Sequence, residues 1–444
     1  MNNKKSLTIL QKALDKLSEG FTNLPFFEQE LPIETEEILL EVAKRMQDNF
    51  PYHHPLYAGQ MLKPPHEIAR LAYMLSMWLN PNNHALDGGR ASSAMEKEAV
   101  AEIAAMFGWE KHLGHLTSSG TIANLEALWI AGKIHPKKKI AASEMAHYTH
   151  ERISSVLGLK FQKIACNKSG EMDLNKLESQ LKKGTIGTVV IIMGTTGIGT
   201  VDPLPEILEL QKKYSFRIHL DAAYGGYFSL ADNLPETTTK KYSLMQSADS
   251  IVIDPHKHGL QPYGCGCVLF KSTEVRKFYK HDSPYNYFTS TEMHLGEISL
   301  ECSRAGAAAV ALWATQKLFP LVKNGAFSKR LNSSHHAAEK LYEKIISDKR
   351  FIPLLKPETD IVIWAARKKS IGEINKISKE IFEKAASKNL HLALLNYPVR
   401  LLPNHWRAIK KDEEYVTCLR SCLMKPEHED WVDEIWKIVI GCLG

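Results

Sequence analysis

The chain has no run of about 18 apolar residues, the length a membrane-spanning helix needs. Its start offers no continuous apolar stretch either. Residues Met1 to Gly20 carry lysines, with Leu7, Leu10, Leu14 and Leu17 at helical spacing, so an amphipathic helix is expected there and not a secretory leader. The 7 cysteines include no Cys-x-x-Cys pair and no Cys/His group with zinc spacing, which speaks against a disulfide scaffold or a metal site. Cys265 and Cys267 would share one face of a strand as reduced thiols, and a reducing cytoplasm is the expected location. Basic residues form no long stripe. Lysines and arginines number 56 against 50 acids, a net +6, and they are interspersed, so Lys137-Lys138-Lys139 reads as a solvated loop and no nucleic-acid partner is expected. No repeat or low-complexity tract is present, which excludes solenoids and linker-rich scaffolds.

What is present is an ordinary globular composition, 444 residues with 44% hydrophobic and 24% charged, long enough for one large core and a smaller one. Residues 1–58 read as a helical arm, interrupted at Pro25 and Pro32, that is too small for a core of its own and must cover another surface. From there to about residue 318, helical stretches alternate with short apolar runs such as Val189–Met193, Ile251–Ile253 and Val268–Phe270. That alternation predicts an α/β unit with a mainly parallel sheet covered by helices on both faces. Residues 319–444 read as a smaller α+β domain with strands near Asp360–Trp364 and Glu414–Leu423.

Five groups carry chemistry. Thr117-Ser118-Ser119-Gly120-Thr121 precedes a helix-forming run, and the free N–H groups at such a helix start suit a phosphate, although Ser and Thr are also ordinary N-caps. Gly194-Thr195-Thr196-Gly197 follows an apolar strand, where ligands of open α/β sheets gather, so Thr196 could touch a ring substituent; a plain glycine turn is the simpler reading of that segment alone. Asp221 closes the run Ile218-His219-Leu220 and is followed by small residues, Ala222, Ala223, Gly225 and Gly226, that leave room for a flat ring. Lys257, in Asp254-Pro255-His256-Lys257-His258-Gly259, sits between two histidines after another apolar run, with cationic neighbours that favour the free amine imine chemistry needs. His147 could lie flat on such a ring. An amine that bonds an aldehyde and a carboxylate that keeps a pyridine nitrogen protonated are the two groups required to use pyridoxal 5'-phosphate.

In this order and spacing, the motifs resemble the group II pyridoxal-phosphate-dependent amino-acid decarboxylases of fold type I, the aspartate-aminotransferase-like fold. Asp-Pro-His-Lys-x-Gly at 254–259, the Gly-Thr-Thr turn and Ser303-Arg304-Ala305-Gly306 look closest to tyrosine/aspartate decarboxylases. The resemblance implies that Lys257 carries the cofactor, Asp221 faces its ring nitrogen, His147 and Ala223 cover its two faces and Thr196 lies near the ring oxygen. It further implies that Ser119, Gly120, Thr121 and His256 hold the phosphate, that Arg420 receives the substrate carboxylate, and that Gln60 lies on the substrate side. Tyr285 or Tyr287 would protonate the substrate carbon, with His147 through water as the alternative donor, and a homodimer is implied. The expected reaction is release of carbon dioxide from an L-amino acid, aromatic before acidic. Transamination, aldehyde formation and carbon–carbon cleavage are alternatives on the same scaffold, and a catalytically silent homologue is a more remote one.

Overall fold

The computed structural model describes residues 4–25, 30–280 and 293–443. Six helices precede or interleave the first strands: α1 (Lys4–Ser18), α2 (Thr35–Met46), α3 (Glu67–Met77), α4 (Arg90–Met106), α5 (Gly120–Ile134) and α6 (Thr149–Val156). Strands β1 (Leu113–Thr117), β2 (Lys139–Ser143), β3 (Phe161–Ile164), β4 (Ile186–Ile192), β5 (Arg217–Asp221), β6 (Ser250–Ile253) and β7 (Gly266–Phe270) form one sheet in the order β1-β7-β6-β5-β4-β2-β3. Only β7 runs against its neighbours; β3, β2, β4, β5 and β6 are mutually parallel.

The central strands are mostly apolar because both faces are covered. Val252 and Val268 pack on α5 through Ala123, Ala127 and Ile130, whereas Ile251, Ile253 and Leu269 pack on the opposite side with Val100 and Ile103 of α4. Each such fully buried aliphatic side chain contributes about 1.5–3 kcal/mol of transfer free energy, which is why the only polar residues in β4 and β6 are Thr188 and Ser250.

A second sheet contains β8 (Phe351–Pro353), β9 (Ile361–Ala366), β10 (Ala393–Pro398) and β11 (Tyr415–Cys422), in the antiparallel order β10-β11-β9-β8. One face, with Val362, Trp364 and Leu419, is covered by helices through Leu341, Ile381 and Val432. The other, with Ile361, Ile363, Val416 and Cys418, packs on Ile198 and Tyr224 from the loops after β4 and β5. The small sheet therefore roofs the carboxyl ends of the parallel strands, where ligands of such sheets bind.

Among the described residues no helix is long and apolar enough to cross a membrane. The helix α2 buries none of its residues and exposes Ile38, Leu39, Leu40 and Val42, each close to half exposed or more.

Candidate active site

Five strand ends converge on one cavity. Those of β1, β2, β4, β5 and β6 deliver Gly120 and Thr121, His147, Thr196, Asp221 and Ala223, and Lys257, all of which line it together with Asn124, Tyr224 and Asp254.

At one end the cavity meets the start of α5. Ser119 caps the helix, its hydroxyl accepting from Ile122 N at 3.3 Å, while the first N–H groups of the helix have no acceptor within it. A side chain at Gly120 would come within 2.5 Å of both carboxylate oxygens of Asp254, so glycine is required by close approach. Gly194, which turns the chain after β4, has φ +100°, a conformation that favours glycine.

At the centre lies Asp221. Its Oδ2 accepts from His150 Nε2 at 2.7 Å and its Oδ1 from Ala223 N at 3.1 Å. Burial would push the carboxyl up, but the hydrogen bond and electrostatic attraction to His150, with Lys257 and the Ala223 N–H, outweigh it and hold Asp221 well below the usual carboxylate range. Burial has the opposite consequence for His147, lowering it from its ordinary value of 6.5 and favouring a neutral imidazole. Its Nδ1 lies 2.9 Å from Thr149 Oγ1. Behind the site, His219 bonds Ser250 Oγ and Asn124 Oδ1, both at 2.9 Å, and burial takes it down to about 3.

Lys257 differs from expectation in its surroundings. The charged group beside its Nζ is the Asp254 carboxylate, at 3.0 Å. The flanking histidines divide: His256 Nδ1 lies 2.8 Å from Cys265 O with its ring against Tyr263 and its Nε2 3.6 Å from the same Asp254 Oδ2, whereas His258 Nε2 turns away to Asp360 Oδ2 at 3.2 Å. His256 thus meets the amine only through the carboxylate they share, and His258 projects away from it. Asp254 is buried, and its Oδ1 has no hydrogen-bond partner.

Arg420 lies above the cavity on β11. It is buried, and its guanidinium donates to the carbonyls of Gly197 at 3.1 Å, Gly59 at 2.8 Å and Thr196 at 2.9 Å. No carboxylate among the described residues pairs with it. Gln60 is exposed and does not line the cavity, and Ser119 and His256 border it without lining it. Tyr285 and Tyr287 lie outside the described residues.

Sequence reasoning missed His150, Asp254, Asn124 and Tyr224. His150 had a readable signal, since it follows His147 by only three residues, at the start of the helix that begins at Thr149. Asn124 had a comparable one, four residues after Gly120 in α5. Asp254 and Tyr224 had none, because only the fold brings Asp254 against Gly120 and Tyr224 beneath the second sheet.

The residues present fit pyridoxal phosphate: an amine at the pocket wall, a buried acid held ionised, and a helix start kept open by a glycine. Such a site on a parallel sheet roofed by a smaller one defines a fold type I pyridoxal-phosphate enzyme. Comparison with known proteins is consistent with that class. The model of the pyridoxal-dependent decarboxylase conserved domain matches residues 23–367. An L-tyrosine decarboxylase of Enterococcus faecium is 26% identical, the alignment covering 89% of this chain and 85% of the relative. An L-aspartate decarboxylase of Thermococcus kodakarensis is 29% identical over 64% of this chain and 72% of its own. In fold, a crystal structure of mouse CSAD superimposes with a TM-score of 0.79 at 17% identity, covering 99% of both chains. The chain belongs to the pyridoxal-dependent decarboxylase family. It is a pyridoxal-phosphate-dependent amino-acid decarboxylase, a carboxy-lyase.

Proposed function

We propose that the substrate is an L-amino acid with an aromatic, tyrosine-like side chain, and that the cavity residues act on it as follows. Lys257 Nζ carries the cofactor and later holds or returns a proton. Asp221 would keep a proton on the ring nitrogen, and the chemistry the cofactor would supply when bound is an acceptor for the electron pair left as carbon dioxide departs. His147 and Ala223 would cover the cofactor ring, Thr196 would lie near its oxygen, and Ser119, Gly120, Thr121 and His256 would hold the phosphate with the start of α5. Arg420 binds the substrate carboxylate and, fixed by three backbone carbonyls, orients the bond to be broken. The proton for the substrate carbon comes from Tyr285 or Tyr287.

One observation supports the aromatic choice. Among the described residues lining the cavity the sole cation is Lys257, which the cofactor uses, and Arg420 is taken by the carboxylate that every amino acid has. An acidic side chain would need a further cation. Outside the lining, near Gly59, the rings Phe50, Tyr52, Tyr57 and His391 cluster, with Tyr52 and Tyr57 centroids 4.9 Å apart, and the one cation on that cluster among the described residues, Lys425, is held 2.6 Å from the Tyr57 carbonyl. The aspartate decarboxylase relatives favour the acidic alternative. Carbon dioxide release measured from each of the twenty amino acids decides: tyrosine or another aromatic leading supports the proposal, and aspartate or glutamate leading replaces it.

The exposed apolar face of α2 supports a homodimer in which residues 1–58 cover the partner, residues 59–318 form the cofactor domain and residues 319–444 form the small one.

A further inference from the structure

Asp221 has two protein donors, and one of them is a histidine to which the chemistry above gives no task. His150 is completely buried, projects from the first turn of α6, and places Nε2 2.7 Å from Asp221 Oδ2. Its other ring nitrogen, Nδ1, is buried without a hydrogen-bond partner. A proton on Nδ1 would be a buried donor lacking an acceptor, whereas a proton on Nε2 has the carboxylate before it, so geometry fixes the tautomer. The carboxylate side is equally determined. Oδ1 accepts from Ala223 N at 3.1 Å and Oδ2 from His150, which fits an ionised group with acceptor capacity left on each oxygen.

We infer that His150 is a positioning residue for the cofactor: its Nε2–H orients Asp221 and keeps it ionised, so that the carboxylate presents a charged oxygen to the pyridine nitrogen. The inference rests on the proposed role of Asp221 and deepens it. The short segment that leads into α6 then serves the ring twice, with His147 at its face and His150, in the first turn, behind the acid at its edge. The charged and titratable groups around Asp221 are Lys257 and Asp254 after β6, His147 and His150 at α6, and His219 on its own strand. None but His150 and the Ala223 N–H makes a hydrogen bond to the carboxylate. Without His150, the burial that opposes ionisation of Asp221 is no longer balanced by a donor to Oδ2.

The test uses the cofactor-loaded enzyme, His150→Phe, which removes the donor at similar bulk, and His150→Gln, which restores an N–H. Three readouts are followed: cofactor affinity by absorbance titration, the pH midpoint of the bound cofactor's visible band, and kcat and KM separately. The Phe variant is expected to bind pyridoxal phosphate about tenfold more weakly, to shift that midpoint by about one pH unit, and to lose about tenfold in kcat with little change in KM; Gln recovers most of each. A folded Phe variant with affinity, midpoint and kcat within about twofold of the parent overturns the inference. If the Phe variant does not fold, the 15N spectrum of histidine-labelled parent enzyme decides, with a proton on His150 Nε2 expected and a proton on Nδ1 alone overturning it. Borohydride fixation of cofactor to Lys257 is run alongside: its absence in the parent defeats the proposed site itself, while its presence with no effect of His150→Phe defeats only the role of His150.

Discussion

The Nζ of Lys257 lies 3.0 Å from Oδ2 of Asp254, an ion pair inside the cavity proposed to hold the cofactor. A lysine bonds an aldehyde only through its free electron pair, so this contact must open and a proton must leave before the cofactor can be attached. Asp254→Asn removes the charge while retaining the shape. Cofactor loading by the Asn variant should be faster at neutral pH, by about tenfold, as followed by absorbance after mixing apoenzyme with pyridoxal phosphate. Unchanged or slower loading would show that the pair does not restrain the amine.

Arg420 is held by carbonyls of three separate segments, so its direction is set before any substrate arrives. A charge-assisted contact of this kind is worth about 2–3 kcal/mol, so Arg420→Met should lower kcat/KM by about 100-fold. Cofactor absorbance should be retained, and substrate amides that lack the carboxylate charge should bind the parent and the variant equally. The affinity of the amino acid, measured by the spectral change it causes, checks this.

His219 and His428 are buried, and burial lowers both from 6.5 to about 3. A histidine lowered on folding contributes stability that is complete above pH 6.5 and lost as pH falls from there towards 3, because the unfolded chain takes up the proton first. Each should cost about 1.4 kcal/mol per pH unit in that window, or about 3 kcal/mol together between pH 6 and pH 5. Urea unfolding of the cofactor-free protein measures the slope, and His219→Asn should reduce it by about half.

The exposed face of α2 makes a prediction about assembly. Ile38 and Val42 lie one turn apart on it, 59% and 49% exposed, and a charge on each should break a contact that buries them. Ile38→Glu combined with Val42→Glu should halve the mass seen by light scattering and reduce activity, while the thermal transition of the cofactor domain persists. A parent protein that is active as a monomer would remove the homodimer.

Much of the frame was legible because it is written in local pattern. The runs at residues 189–192 in β4, 251–253 in β6 and 267–270 in β7 are apolar, and Asp221 stands at a strand end followed by small residues. Strands β1, β2 and β3 were not legible: His115, Lys139, Gln162 and Lys163 interrupt them, and their burial depends on neighbours distant in the chain. In the site, residues that line the cavity, such as Lys257, Asp221 and His147, could be named from strand ends and flanking glycines. Contacts could not. His258 turns to Asp360 and His256 bonds Cys265 O while facing Asp254, the ion-pair partner of Lys257 three residues back. Adjacency along a turn carries no information on the direction of a side chain, and Arg420 meets Thr196 only because the second sheet folds over the first.

The central claim is that Lys257 carries the cofactor opposite Asp221. Its most direct test is borohydride reduction of the loaded enzyme, followed by proteolysis and mass spectrometry. The account predicts a single reduced pyridoxyl adduct, on the peptide containing Lys257, and its loss in Lys257→Ala together with the visible absorbance. An adduct on another lysine, or an unaltered spectrum in Lys257→Ala, would contradict it.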